Sequence, residues 1–299
     1  MLTLDERAAL QRVIAIVNGK GGSGKSSLAC NLAGVLARSG YRTLLIDTDP
    51  QGDAGQNLGY RGSEADDNGE NLLQALLFGS DLTPIPGVRE RLDAIPAGRT
   101  TEMISPMIAQ ASQGGAPDNL RLARALAQIA SDYDIVIIDC PPRDTLMQLQ
   151  VLSAARWVLS PTQPEHNSIT GVRHVLNLIK NCRETSNPDL AMLGQVLIPV
   201  TRAAKRVAEG ARKDIEELYA SVLEEEGIDY SAPTFDAFVG LTQSTAAECE
   251  RSGRLAIEVS EANASRTSRS EVHSLAQDYV NITRQLLTEL NAREKSQES

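Results

Sequence analysis

Aromatic residues make up only 3% of this 299-residue chain, so its core has to be built mainly from Leu, Ile, Val and Ala. Cysteine is scarce as well. Cys30, Cys140, Cys182 and Cys249 stand far apart and form no C-x-x-C pair. That spacing speaks against a disulfide framework or a zinc site and fits a reducing cytosol. No apolar run approaches ~20 residues, so no membrane-spanning helix is expected. The charged N-terminus, MLTLDERAALQR, lacks the apolar stretch of a signal peptide. Positive charge is not in surplus either. A net charge of −10 argues against a wholly basic nucleic-acid-binding surface while leaving room for a local basic patch.

What the chain does have is alternation. RVIAIV (12–17) is a β-branched run that ends in Asn18-Gly19, as a buried strand entering a turn does. SSLACNLAGVLARSG follows with Leu28, Leu32, Val35 and Leu36 at helical spacing, and Gly40 is placed to close that helix. RTLLID (42–47) is again a continuous apolar strand. Strand, glycine loop, helix and strand make a right-handed βαβ unit on a parallel sheet. The rhythm continues with a helix at 119–130 and strands at 134–139 and 156–161. Beyond these come a helix near 168–182, a strand at 194–200, a charged helix at 203–225, a short strand near 232–239 and a terminal helix over about 270–291. Residues 52–70 and 97–118 read as surface loops with a short helix, NLLQALLFG, between them. No repeat or low-complexity linker divides the chain. The expectation is an α/β fold, one doubly wound and mostly parallel sheet flanked by helices, spanning 1–299 with frayed ends at about 1–11 and 292–299.

The loop between the first strand and helix carries Gly19-x-x-x-x-Gly24-Lys25-Ser26, a complete phosphate-binding pattern. Glycines there let consecutive N–H groups turn inward around phosphate oxygens, and the helix N-terminus adds its dipole. Lys25 would reach the β- and γ-phosphates and Ser26 would ligate Mg²⁺. Two acidic strand ends support the site. LLIDTDPQGD offers Asp47 and Asp49, and IVIIDCPP offers Asp139. Open parallel sheets bind ligands at those ends. An acid after an apolar strand is more often a cap or turn residue, but beside a phosphate loop the metal reading prevails for Asp139. Alternation points Asp47 and Asp49 to the same side, which leaves their roles open.

KGGSGKSS, DTDPQGD and YDIVIIDCPP together resemble the deviant Walker A, A′ and B motifs of the ParA/MinD family of P-loop ATPases. PTQPEHNSITGV (161–172) resembles a later segment of ParA proteins. The resemblance implies a Mg²⁺-dependent ATP hydrolase, weak without its partner, whose nucleotide contacts are Lys20, Gly21, Gly22, Ser23, Gly24, Lys25, Ser26 and Ser27. Ser26 and Asp139 would serve the metal, and Asp49 would position water, with Asp53 as a switch-like acid. It also implies that Lys20 reaches across an ATP-sandwich homodimer to the partner's nucleotide, as an arginine finger does.

Within the family, Cys140 has no partner at C-x-x-C spacing and reads as a small buried hydrophobe, against an iron–sulfur role. The terminal helix has an apolar stripe of Val272, Leu275, Tyr279, Ile282, Leu286 and Leu290, opposite a mixed polar face. Anionic lipid would want clustered Lys and Arg there, so the helix is expected to pack on its own sheet, with no stable membrane association. TRAAKRVAEGARKD (201–214) offers Arg202, Lys205, Arg206, Arg212 and Lys213 as a DNA surface, with a solvated helix face as the bland alternative. Arg251, Arg254, Arg266 and Arg269 form a second basic group, and Thr242 or Thr245 stands where a basic residue is often found. The implied protein is a ParA-type ATPase of the cytoplasm and nucleoid, binding nonspecific DNA and stimulated by a centromere-binding ParB-like protein. Its rivals are an ATP-switched positioning or scaffold ATPase for another cargo, a MinD-like membrane ATPase, and an ATP-dependent ligase on the same fold.

Overall fold

The computed structural model describes every residue except 1, 114, 164–167, 201–204, 226–232, 241–242, 263–268 and 298–299. Its strands are β1 (Val13–Ile16), β2 (Thr43–Asp47), β3 (Ile85–Arg89), β4 (Leu92–Ile95), β5 (Ile135–Asp139), β6 (Trp157–Thr162), β7 (Ala191–Val200) and β8 (Thr234–Gly240). They form one sheet in the order β3-β4-β2-β5-β1-β6-β7-β8. Every pairing is parallel except β3 with β4. Strand β3 contains Pro86 and Gly87, which suit an edge position where one side needs no ladder.

Alternate residues of each central strand serve opposite faces. Ala15, Leu44, Ile46, Val136 and Ile138 join one core, packed by α4 (Glu70–Phe78), α5 (Ile104–Ala111), α6 (Arg121–Ala127), α7 (Thr145–Ala154), α8 (Ser168–Thr185) and α9 (Lys205–Glu225). Ile14, Ile16, Leu45, Ile135 and Ile137 join the other. That second core is covered by α2 (Lys25–Arg38), α3 (Asp53–Leu58), α10 (Gln243–Ser252), α11 (Ala256–Ala262) and α12 (Arg269–Gln297). Every member of the α12 stripe from Val272 to Leu290 is buried there. Among the described residues, no helix is long and apolar enough to cross a membrane.

The two expected surface loops are not structureless. Residues 52–70 contain α3, which starts and stops on left-handed Gly52 and Gly59, and residues 97–118 contain a 3-10 turn (Arg99–Met103) and α5. The ends expected to fray carry helix. At the N-terminus, α1 (Leu4–Ala9) is closed by a capping box between Thr3 and Glu6, and α12 extends to Gln297, with Arg12 paired to Glu294 at 2.7 Å. Strands β3 and β4 and helices α7, α10 and α11 were not expected. Helix α7 has no apolar stripe because it is covered nearly all round, with Gln148, Gln150 and Ser153 buried among apolar neighbours.

Replacing Leu286 with Ala should lower unfolding stability by about 2–5 kcal/mol, since its fully buried side chain would leave a cavity. Exposed Thr288 changed to Ala should move it by no more than about 0.5 kcal/mol. Urea melts compare the two, and equal midpoints would show that the α12 stripe is not core.

Candidate nucleotide site

The phosphate-loop pattern folds as its glycines require. Gly22 and Gly24 have φ of +70° and +79°, a region that costs residues with a Cβ. Asn18 anchors the entry: its amide group donates to the Pro161 carbonyl at 2.5 Å and its side-chain oxygen accepts the Lys20 N–H at 2.7 Å. At the exit, α2 has no side-chain cap, so its first-turn N–H groups are left for an anion. Lys25 is buried, and its ammonium donates to the Lys20 carbonyl at 3.3 Å, back across the loop.

A cleft of about 450 Å³ opens over this loop, lined by Gly21–Ser27, Asp49, Gln51 and Asp53 and by apolar Ile198 and Val239. The strand-end acids divide sharply. Asp47 and Asp139 are fully buried side by side, paired in register between β2 and β5. Asp47 accepts the Asp49 and Ala54 N–H groups at 2.9 and 3.1 Å. Burial, then the neighbouring Asp139, pushes its carboxyl well above the ordinary range. Neither oxygen of Asp139 has a hydrogen-bond partner among the described residues. Burial pushes Asp139 up to about 7, against the pull of the Ser26 hydroxyl and the Lys25 ammonium. Asp49 is half-buried at the cleft wall, accepts the Gln51 N–H at 3.0 Å, and is raised by burial. The expectation that Asp47 and Asp49 share a side is therefore corrected. Strand β2 ends at Asp47, and the chain turns before alternation can carry to Asp49.

Lys20 belongs to different surroundings. It lines a second cavity, of about 360 Å³, with Asn18, Arg143, Thr162, Gln163 and His174. Among the described lining residues the two cavities share only Gly21 and Ser23. The Lys20 ammonium donates to the Gln163 side-chain oxygen at 2.8 Å, while the Gln163 amide donates to the Gly22 carbonyl at 3.2 Å. His174 packs so close to Gly19 that a Cβ there would lie 2.6 Å from the ring. Asn18, Gln163 and His174 were missed by sequence reasoning. Only Asn18, next to the glycine run, carried a local signal. Part of the 161–172 segment lies outside the described residues.

Of the expected DNA residues, Lys205, Arg206, Arg212 and Lys213 fall on α9. Arg202 lies outside the described residues, and Lys205 and Arg206 fall in the first turn of α9. Arg212 is paired with Glu216 at 3.0 Å and with Asp236, and Lys213 is exposed. Arg251 and Arg254 are exposed at the end of α10, Arg266 lies outside the described residues, and Arg269 opens α12. Thr245 is buried, and Thr242 lies outside the described residues. Cys140 is buried, its thiol pushed up by burial. No His, Cys, Asp and Glu cluster suited to a metal occurs among the described residues.

Residues 11–192 match a family model described as an AAA domain. The chain is similar to the chromosome-partitioning ATPase Soj of Thermus thermophilus, 34% identical over 260 residues, covering 85% of this chain and 96% of that protein. It is 38% identical over 194 residues to the chromosome partitioning protein ParA of Myxococcus xanthus, covering 64% of this chain and 65% of that one. The fold is similar to the solved structure of pNOB8 ParA, with a TM-score of 0.72 and 20% identity, covering 94% of this chain and 99% of that one.

The raised Asp139 makes a signed prediction for the metal-free protein in chelator. The folded chain holds that proton more tightly than the unfolded chain, whose Asp titrates near ~3.9, so stability falls as pH rises from there through about 7. Asp139→Asn should therefore stabilise the fold at pH 8 by about 1–3 kcal/mol and lose that advantage near pH 4. Urea melts across pH measure it, and a pH-independent difference would contradict the burial.

Proposed function

Because the chain belongs to the ParA family of partitioning ATPases, we propose that its cleft binds Mg-ATP and that ATP closes it into a sandwich homodimer. The closed dimer binds DNA without regard to sequence and is turned over with a DNA-bound, ParB-like centromere-binding partner. On this reading residues 1–299 form one ATPase unit that works on the nucleoid in the cytoplasm. The observation that carries the proposal is the division of one loop between two lysines, Lys25 in the cleft and Lys20 in the neighbouring cavity.

The residues distribute the work as follows. The loop amides from Gly21 to Ser27 and the α2 N-terminus receive the phosphates, and Lys25 neutralises their β/γ charge in its own subunit. The orphaned oxygens of buried Asp139, with the Ser26 hydroxyl beside them, fit a hard cation that wants oxygen ligands. Magnesium held there supplies charge neutralisation at the β- and γ-phosphates. Asp49 faces the cleft and positions the attacking water, and Asp47 holds the Asp49 amide from below. Lys20 lines the neighbouring cavity and not the cleft that holds Lys25, which supports a contact in trans, where it neutralises the partner's nucleotide. A specific observation favours the second reading, an ATP-switched positioning or scaffold ATPase for another cargo: Arg212 of the expected DNA surface is held by Glu216 and Asp236.

Lys25→Ala should abolish ATP binding in calorimetry. Lys20→Ala should bind ATP nearly normally, remain monomeric with ATP on sizing chromatography, and lose turnover and DNA binding together. ATP-dependent dimers of Lys20→Ala with undiminished turnover would reduce Lys20 to a solvated loop lysine.

DNA co-sedimentation should require ATP, ignore sequence and weaken steeply with salt, as counterion release demands. Charge reversal at Arg202, Lys205 and Arg206 should weaken it, whereas Arg212→Ala should change it little because that guanidinium is already paired. Absence of any DNA binding with ATP would count against the DNA reading and favour the cargo reading.

A further inference from the structure

Arg89, the last residue of edge strand β3, lies outside every motif, yet all five of its N–H donors are used. Its Nη1 donates to the Leu58 carbonyl, the last of α3, at 3.0 Å and to the Val88 carbonyl at 2.6 Å. Its Nη2 donates to the carbonyl of Gly253, just beyond α10, at 3.0 Å and to Glu258 Oε2 at 3.1 Å. Its Nε donates to Glu258 Oε1, completing a bidentate pair. One cation thus satisfies carbonyls at the carboxyl ends of two helices, where the backbone dipole favours positive charge.

The two helix ends also meet backbone to backbone. Gly59 and Gly253 both have positive φ, and a Cβ on Gly253 would come within 2.6 Å of the Gly59 Cα. Gln56 on α3 donates to the Glu250 carbonyl on α10 at 3.0 Å. Glu258 in turn accepts the Leu255 N–H at 2.8 Å, and Asn31 of α2 accepts the Ala256 N–H at 3.0 Å. Both helices face the nucleotide cleft, α3 with Asp53 and Asn57 and α10 with Ala246 and Glu250. Exposed Arg251 lies in the last turn of α10, beside this junction.

We propose that Arg89 is a positioning residue that joins α3, which directly follows the Asp49 loop, to α10, so that α10 responds to the nucleotide bound in the cleft. The proposal rests on the reading of that cleft as an ATP site. A lysine at position 89 can reach fewer of these oxygens at once, because only the planar fork spans three carbonyls and a carboxylate.

Hydrogen exchange of the full chain, with and without Mg²⁺ and a non-hydrolysable ATP analogue, tests it. In the wild type, amides of residues 53–58 and of 243–252 should both change on binding. In Arg89→Met the change in 53–58 should persist, while that in 243–252 should shrink by about tenfold in exchange rate. Arg89→Lys and Glu258→Gln should fall between, which keeps the test available if the Met variant does not fold. An undiminished α10 response in these variants would overturn the proposal, because a merely structural arginine would lower overall protection without uncoupling the two segments. A wild-type α10 that ignores the analogue, while calorimetry shows it bound, would overturn the coupling and leave the ATP reading standing. No analogue binding to the wild type would overturn both.

Discussion

Two carboxylates buried side by side, Asp47 and Asp139, set the terms for the rest of the site. Parallel pairing of β2 with β5 places them in register, and neither is exposed to water. Two adjacent buried negative charges are costly, so each needs a compensating partner. Asp47 finds it in the Asp49 N–H of the loop that follows and the Ala54 N–H in the first turn of α3. Asp139 is offset by the Ser26 hydroxyl and Lys25 ammonium, and its oxygens have no hydrogen-bond partner among the described residues. The asymmetry leaves Asp139, not Asp47, as the less compensated member of the pair.

The same economy of place explains the two lysines. A loop of this length encloses one polyphosphate, and the buried Lys25 already sits over its mouth. Asn18 turns the chain at the loop's start by holding the Lys20 amide, which leaves the Lys20 side chain in the next cavity. Gln163 and His174, delivered by distant parts of the chain, complete those surroundings. The glycine run fixes the backbone, and its neighbours in space decide what each lysine faces.

Sequence reasoning read the central strands and α2 well because their apolar runs are continuous and end in glycine, asparagine or aspartate. It missed α7, whose covered faces erase the helical stripe, and β3, whose Pro86 and Gly87 resemble a turn. It took residues 52–70 for a loop because α3 is only six residues long between two left-handed glycines. It expected Asp47 and Asp49 on one side, although the strand that would impose alternation stops at Asp47.

By itself, the sequence determined the α/β class, the phosphate loop and the acids that end β2 and β5, since each follows from local spacing and residue chemistry. The buried stripe of α12 was equally local, because helical periodicity reports which face is covered. Tertiary structure alone decided which acid lies in the core and which in the cleft, and that Arg212 spends its charge on Glu216 and Asp236. It also decided that Arg89 closes two helix ends 31 and 164 residues away. Burial and pairing depend on groups far apart in the chain, and no local pattern encodes which of them will meet.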